Sequence, residues 1–472
     1  MKPFSPVSLV VWIGGLGSAL LVGLAVTLGL WVLQHGPWTG LWGIVYVDAF
    51  GALMLTLITF VGLIAMFYSA TYMRHEVEKG QLTDSHVLTY FGWSYLFGAT
   101  MVAAVVVENL GFLWVAIEAS TLVSAFLVGF YNRRNSLEAA WKYVILCSVG
   151  IAFALLGLVL LYTAGVQAGL DPAQALNWTH LMAAAPKLNP AYVRMAFALA
   201  LVGFGTKAGL APMHSWVPDA YSQAPLPTAV LSGVLLNTAL YAILRFHAVA
   251  VRTLGPGFSS HLLLAFGLIS LGLAALFILV QKDFRRLLGY SSVEHMGLIC
   301  IGVGLGGPVG LTGAVLHMVG STLAKSLLFF TAGNVGHRYH TFRMERIRGA
   351  VRALPVSGPL LIVGTLALTG MPPTSVFLSE FSIVAAGFKS GQVWAVVLLL
   401  LGIALAFAGM LLHLREMALG EVPHGIETGE RASWASVPLW LPLALVVLLG
   451  VWIPPALSEA IRQIAGVLGG GL

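Results

Sequence analysis

Long apolar runs follow one another along nearly the whole chain, and the charged residues are largely confined to the short segments between them. Only 9% of the 472 residues are Asp, Glu, Lys or Arg, whereas soluble domains carry about 25%. A run of about 20 apolar residues is long enough to cross the hydrocarbon layer of a membrane as an α-helix. The sequence therefore predicts an all-α polytopic membrane protein with about 13 transmembrane helices, and with no soluble domain between them.

Basic residues are distributed unevenly among the predicted loops. An odd number of spans puts the two termini on opposite sides, and most Lys and Arg, including the cluster in 343–352, then fall on the amino-terminal side. Arg245 is among the few that we assign to the other side. Because cytoplasmic loops are rich in Lys and Arg, we expect a bacterial or archaeal cytoplasmic (inner) membrane, with the amino terminus cytoplasmic and the carboxyl terminus outside. This distribution accounts for the net charge of +6, so the charge indicates a lipid bilayer and no nucleic acid as partner.

Lys207 lies in the middle of the otherwise apolar segment "ALVGFGTKAGLAPMHSW". A lysine at the membrane centre costs about 2.5–3.5 kcal/mol on insertion scales, and Gly209 and Pro212 interrupt the helix just beyond it. Irregular backbone at this depth is tolerated where it is packed in protein or lines a wet cavity, so we predict a broken helix over 191–222 on an ion path. The alternative is a lysine that snorkels to the interface.

A second break is predicted in 356–388, where Gly370, Pro372 and Pro373 precede Glu380. Numbered along the chain, the first broken helix is the fourth span in a group of five, spans three to seven. The second broken helix is likewise the fourth span in the next group of five, spans eight to twelve. A five-span unit crosses an odd number of times, so its second copy is inverted. We therefore predict two amino-terminal spans in 1–87, a first five-helix repeat in 88–248, a second, inverted five-helix repeat in 259–414, and a carboxyl-terminal span in 415–472.

Other polar residues lie inside apolar runs. Glu118 is in the middle of a predicted span, where it needs a partner or a function, and the alternative is a protonated structural carboxyl group. His317, Ser321 and Lys325 are spaced four residues apart, which stacks them on one helix face over roughly 12 Å. Such a stripe can carry a chain of water, or its members can simply bond to neighbouring helices. Asn237 can bind water but cannot hold a proton.

Two further groups are interpreted as structural. Glu294 and His295 closely follow Arg285, which favours a capping or ion-pair cluster near the cytoplasmic interface. Glu138 and Lys142 are placed for an i, i+4 salt bridge at a helix start.

No cofactor site is predicted within the chain. Cys147 and Cys300 both lie in apolar helices, with no CxxC spacing and no histidine cluster nearby, which argues against an iron–sulfur cluster or a nickel site. No metal-binding motif is present either. Any redox chemistry must then belong to partner subunits.

Three stretches, "GTKAGLAPMHSWVPDAYSQAP", "QKDFRRLLGYSSVEHMGL" and "MPPTSVFLSEF", resemble the antiporter-like membrane subunits of respiratory complex I and their relatives, and the resemblance covers essentially the whole chain. Within that superfamily, "YMRHEVEKG" and "LLNTALYAILR" look most like hydrogenase 4 component F, a subunit of membrane-bound group 4 nickel–iron hydrogenases. The resemblance implies a fourteen-helix fold with two inverted five-helix repeats, and proton translocation coupled to a hydrophilic redox arm. One amino-terminal span fewer is predicted here.

The resemblance also implies roles for single residues. Glu118 matches the glutamate that faces the lysine of the first broken helix, and Lys207 matches that lysine. Lys325 matches the central connecting lysine, and Glu380 the terminal acidic residue of the second broken helix. Asn237 stands where several complex I subunits have a lysine, and Ser321 stands where relatives often have a second histidine.

These features predict a proton-translocating subunit of a redox-driven complex of the hydrogenase 4 or complex I type. In this hypothesis Glu118 stabilises the ammonium group of Lys207, and the proton passes through His317 and Lys325 to Glu380. The expected partners are other membrane subunits and a cytoplasmic redox arm that holds a nickel–iron centre or iron–sulfur clusters. Two alternatives are a subunit of a multi-subunit sodium/proton antiporter and a membrane scaffold, or proton-coupling subunit, for a different soluble partner.

Overall fold

The computed structural model describes residues 6–430 and 437–469. In these residues the chain is almost entirely helical, with one short antiparallel hairpin of β1 (Trp38–Gly40) and β2 (Val45–Val47). The helices are α1 (Pro6–His35), α2 (Ala49–Glu78), α3 (Asp84–Val106), α4 (Leu110–Val128), α5 (Arg134–Gln167), α6 (Trp178–Ala184), α7 (Pro190–Ala208), α8 (Trp216–Gln223), α9 (Leu226–Leu254), α10 (Gly257–Val280), α11 (Phe284–Leu305), α12 (Gly307–Tyr339), α13 (Ala350–Ala353), α14 (Ser357–Leu368), α15 (Ser375–Lys389), α16 (Val393–Ala418), α17 (Val437–Val451) and α18 (Pro455–Leu468).

Within the described residues, ten helices are long and apolar enough to cross a membrane, namely α1 to α5, α9 to α12 and α16. An eleventh candidate is the pair α17 and α18, which is bent by 73° at a short break. The all-α polytopic membrane class is therefore confirmed. The count of thirteen is not established, because α7, α8, α14 and α15 do not pass the same test of length and composition.

Helix ends lie on two opposite faces. On one face, Lys79 Nζ after α2 lies 3.4 Å from the backbone oxygen of His337 near the end of α12. On the other, the hairpin meets the α3–α4 connection, where the backbone N–H of Glu108 donates to the carbonyl of Ile44 (3.0 Å). We call the face with the β-hairpin the hairpin face. We call the face where α2 and α12 end the arginine-rich face, since its loops and helix ends hold Arg133, Arg134, Arg285, Arg338, Arg343, Arg346, Arg348 and Arg352.

The centre of the molecule consists of α9, α11 and α12. The most apolar window of each of these three helices is entirely buried, whereas only 17% of that of α1 is buried. Small residues allow the close helix contacts that association within a membrane requires. At the crossing of α10 and α11, a Cβ atom on Gly267 would lie 2.7 Å from the carbonyl oxygen of Gly297.

Both predicted helix breaks are present. In the first, α7 ends at Ala208, Gly209 adopts the left-handed region (φ 73°), and α8 begins at Trp216. In the second, α14 ends at Leu368 and Gly370 has the same type of conformation (φ 71°) before α15. The two breaks are alike in form. The division of the chain into two repeats stays a prediction.

Some loop-level interpretations need correction. Arg245 is not in a loop but lies buried inside α9, so it says nothing about membrane orientation. Glu294 and His295 lie inside α11 and are also buried, and neither forms an ion pair within 4.0 Å in the described structure. The salt bridge between Lys142 and Glu138 is confirmed at 2.7 Å.

Candidate functional site

Lys207 occupies the last turn of α7, directly before the first break, and its side chain is fully buried. Its Nζ donates to the hydroxyl of Thr121 on α4 (2.8 Å) and to the hydroxyl of Tyr143 on α5. The ammonium group also lies 4.6 Å from the centre of the Tyr143 ring, a cation–π distance. The lysine is thus held between three helices, which excludes the snorkelling alternative.

Glu118 lies on α4, half-buried and one turn before Thr121. Its carboxylate accepts from Ser148 on α5 (2.8 Å) and from Thr121 (3.4 Å). Among the described residues, no ion pair within 4.0 Å joins it to Lys207. The Thr121 hydroxyl instead stands between them, accepting from the ammonium group and placed to donate to the carboxylate. A hydroxyl in this position can pass a proton by accepting one and releasing another.

The first break is anchored beside this cluster. Trp216, at the start of α8, donates its indole N–H to the carbonyl of Thr206 (2.7 Å), and its ring packs on Tyr143 at 4.6 Å between centroids. The Tyr143 hydroxyl is 2.7 Å from that of Ser124. The unwound segment is therefore fixed to the groups that hold the lysine. Sequence reasoning missed Tyr143, which directly follows Lys142 at the start of an apolar run.

A second cluster joins α11, α12 and α15. His317 Nε2 lies 2.9 Å from His295 Nδ1, and His317 Nδ1 lies 2.9 Å from the hydroxyl of Ser379. Glu380 follows directly, and ligand atoms of His295, His317 and Glu380 lie within 4.8 Å of one another. Sequence reasoning placed His295 at the interface, yet it is eleven residues into α11, about 16 Å along the axis and near the middle of a span.

The absence of a side chain at Gly370 allows the carboxylate group of Glu380 to lie against the second break. A Cβ atom at position 370 would lie 2.2 Å from Glu380 Oε2. Glycine therefore suits the backbone conformation there, and a side chain at this position would make the carboxylate group of Glu380 move.

Lys325 lies two turns after His317 on α12 and is buried. Its Nζ has no hydrogen-bond partner in the described structure, and neither has the hydroxyl of Ser321 between them. Buried polar groups are nearly always satisfied, if necessary by water. The predicted polar stripe is thus a single buried face of α12. Two of its hydrogen-bond donors have no protein partner in the described structure.

Asn237 connects the central helices α9 and α12. Its Nδ2 donates to the Thr322 hydroxyl (2.6 Å) and lies 3.5 Å from the carbonyl of Met318. Its Oδ1 is buried without a partner among the described residues. The amide therefore sits beside the stripe as a group that can orient water.

Four of the six predicted site residues fall into two groups. Glu118 and Lys207 meet through Thr121, while His317 and Glu380 meet with His295. Lys325 and Asn237 lie on the central helices, and no direct hydrogen bond among the described residues links them to Lys207. A continuous path would need water between the groups.

Family models match most of the chain. One described as "NADH:quinone oxidoreductase/Mrp antiporter, TM" matches residues 107–406, and one described as "NADH-Ubiquinone oxidoreductase (complex I), chain 5 N-terminus" matches residues 42–81.

Curated proteins and solved structures are also similar. A hydrogenase-4 component F homolog from Methylacidiphilum infernorum is 37% identical over 88% of this chain and 86% of its own. A Na⁺/H⁺ antiporter subunit from Alkalihalophilus pseudofirmus is 26% identical over 92% and 85%. The Mrp complex from Dietzia sp. contains a chain with a TM-score of 0.85 and 21% identity, covering 98% of this chain and 93% of that one. A chain of an archaeal membrane-bound sulfane sulfur reductase has a TM-score of 0.84 and 24% identity, and the match covers 98% of this chain and 95% of that one. At these identities the structures establish the fold alone.

Proposed function

Because the chain belongs to the NADH:quinone oxidoreductase/Mrp antiporter family of membrane subunits, we propose that it is the proton-translocating subunit of a redox-driven complex of the hydrogenase 4 or complex I type. The observation that carries this proposal is the fully buried Lys207 at a helix break, joined to Glu118 by one hydroxyl. A lysine kept in such a place at a cost to folding is typical of an ion path.

Glu118 is the group that controls the charge on Lys207. The two hydrogen bonds through Thr121 place the carboxylate and the ammonium group at most about 6 Å apart. Removing one unit charge at that distance changes the free energy of the other by about 3 kcal/mol for an effective dielectric constant of about 20. Moving a proton against roughly 150–200 mV requires about 3.5–4.6 kcal/mol. The pair therefore supplies most of the work of one transfer, and the rest has to come from a further rearrangement.

The second half of the path runs along α12. A proton released by Lys207 reaches Lys325 through water that Asn237 and Ser321 orient. It reaches His317 after Lys325, the reverse of the order expected from the sequence, because His317 and not Lys325 lies beside Glu380. The pair of His317 and His295 passes it to Glu380, because each ring can accept on one nitrogen and release from the other. The unpartnered atoms on Lys325, Ser321 and Asn237 support this route, since water is the partner they lack.

The chain is a multi-pass membrane protein, and its relatives are subunits of multi-subunit membrane complexes, so other membrane subunits are its partners. A cytoplasmic arm with a nickel–iron centre or iron–sulfur clusters is part of our proposal. It would dock on the arginine-rich face, which is cytoplasmic in the bacterial or archaeal inner membrane that we propose.

A sodium/proton antiporter subunit is the second candidate. The similarity to the Na⁺/H⁺ antiporter subunit from Alkalihalophilus pseudofirmus favours it. A sodium site needs several converging oxygen atoms, whereas the second cluster offers two imidazoles and one carboxylate. Transport by the reconstituted complex under an imposed sodium gradient separates the two candidates: sodium-dependent proton movement without redox turnover would favour the antiporter.

The test of the proposal is proton translocation by the purified complex in proteoliposomes. We expect Lys207→Ala and Glu118→Gln to abolish translocation while electron transfer continues. Lys187→Ala is the matched control, because Lys187 is an exposed lysine in a connecting turn. Translocation that survives Lys207→Ala at the rate of the control, with electron transfer intact, would show that the chain is a scaffold.

A further inference from the structure

Three polar residues on α9 lead from the centre of the molecule to the hairpin face. Asn237, Tyr241 and Arg245 are four residues apart, so they share one helix face over about 12 Å. The first contacts α12 one turn from Lys325. The last reaches the amino-terminal end of α2. This row is buried along its whole length.

Arg245 forms a buried ion pair with Asp48, the residue that caps α2. Its two terminal nitrogens donate to the two carboxylate oxygens at 2.6 and 2.7 Å, a bidentate arrangement. One of them also donates to the Tyr241 hydroxyl (2.7 Å). The guanidinium group lies 4.3 Å from the Trp178 ring. Arg245 is 3% exposed and Asp48 is 6% exposed, so the pair is shielded from solvent.

A cavity of about 430 Å³ on the hairpin face ends at this pair. Its walls include Asp48, Tyr46, Phe50 and Trp178, with Arg462 of α18 at the other side. Arg245 itself does not line it. Asp48 therefore faces the cavity, and Arg245, the last residue of the row on α9, lies behind it.

We propose that Asp48 and Arg245 form a gate on a branch of the proton path that leads from Lys325 along α9 to the hairpin face, with Arg245 as the positioning residue. This inference rests on the proposed function. The bidentate contact closes the inner end of the cavity, and the guanidinium group, which stays protonated at any physiological pH, occupies the place through which a proton or a water molecule would have to pass. While the pair is closed, protons in the cavity cannot return to Lys325.

A merely structural role explains the pair less well. Replacing a buried ion pair by well-packed apolar residues is often neutral or stabilising. The pair also lies in line with Tyr241 and Asn237, which a structural bridge between α2 and α9 would not require.

The test is the passive proton leak of proteoliposomes that contain the whole complex, with an imposed potassium diffusion potential, a trapped pH dye and no redox substrate. The double variant Asp48→Asn/Arg245→Gln keeps hydrogen-bonding groups and leaves no unpaired charge. We expect it to leak about tenfold faster than the wild type or more, because the neutral amides no longer hold the passage closed as the bidentate ion pair does. The exposed pair Arg74→Gln/Glu78→Gln on α2 is the control and should leak at the wild-type rate.

Two further variants make the result specific. Arg245→Lys keeps the charge but cannot make the bidentate contact, so its leak should lie between those of the wild type and the double variant. Adding Asn237→Leu to the double variant should return the leak to the wild-type rate, because the row on α9 is then interrupted. A wild-type leak in both gate variants, or a leak that Asn237→Leu leaves unchanged, overturns the proposal.

The same vesicles separate this inference from the proposed function. If Lys207→Ala abolishes redox-driven translocation while the gate variants do not leak, only the gate is wrong. If Lys207→Ala leaves translocation intact, the proposed function itself has failed.

Discussion

At the scale of single residues, the charged members of the site could be predicted and the groups that connect them could not. Lys207, Glu118 and Glu380 are conspicuous because ionisable side chains are costly in apolar segments. The link through Thr121 depends on where α4 crosses α7, and residue spacing does not encode that crossing. His295 was misplaced for a related reason, since nearby arginines in the sequence suggested an ion pair that the fold does not make.

Thr121 should be essential for rapid transfer between Lys207 and Glu118. Thr121→Val keeps the shape of the side chain but removes the hydroxyl that accepts from the ammonium group. Leaving a buried charged donor short of a partner costs about 1–3 kcal/mol, so we expect the initial rate of proton translocation to fall by about tenfold or more. The control is Thr163→Val on α5, whose hydroxyl bonds only to its own helix at an exposed position. Equal rates in the two variants would mean that Thr121 merely fills space.

His295 should prove as important as His317, although only the latter was predicted. His295→Gln retains a hydrogen-bonding side chain but cannot accept and release a proton on two ring nitrogens. We expect redox-driven translocation to be lost and electron transfer to continue. His261→Gln, which changes an exposed histidine on α10, is the control. Full translocation by the His295 variant would remove the histidine pair from the path.

At the scale of helices, the two breaks could be predicted because glycine permits the left-handed backbone conformation and proline cannot continue a helix. Which helices occupy the centre of the molecule could not be predicted. The central helices α9, α11 and α12 are three of the four least apolar of the ten spanning candidates. The centre of the molecule shields the polar residues of these three helices from lipid. However, α3 is similarly polar, and only 39% of its most apolar window is buried. Composition alone therefore does not separate a central helix from a peripheral one.

The second break offers a sharply controlled test of what its glycine does. Gly370 (φ 71°) and Gly391 (φ 70°) share a backbone conformation, but a new Cβ atom meets Glu380 at the first and nothing within 4 Å at the second. Gly391→Ala should lower the free energy of unfolding by about 1 kcal/mol through backbone strain alone. Gly370→Ala should lower it further and also stop translocation, because it displaces the carboxylate. Thermal unfolding of the purified complex and the vesicle assay measure the two effects. Normal translocation by Gly370→Ala would show that the position of the carboxylate at the break is unimportant.

At the scale of the whole molecule, the predicted orientation in the membrane can be tested directly by labelling cysteines introduced on the two faces. Both cysteines are buried, which leaves the native chain nearly silent to thiol reagents. Glu345→Cys marks the arginine-rich face at an exposed position, and Trp42→Cys marks the hairpin face, where that side chain is 98% exposed. In intact cells a membrane-impermeant maleimide should label position 42 and spare position 345, because Lys- and Arg-rich loops remain in the cytoplasm. Permeabilised cells should show labelling at both positions, which serves as the control for reactivity. The reverse pattern in intact cells would place the arginine-rich face outside, and a cytoplasmic redox arm could then not dock there.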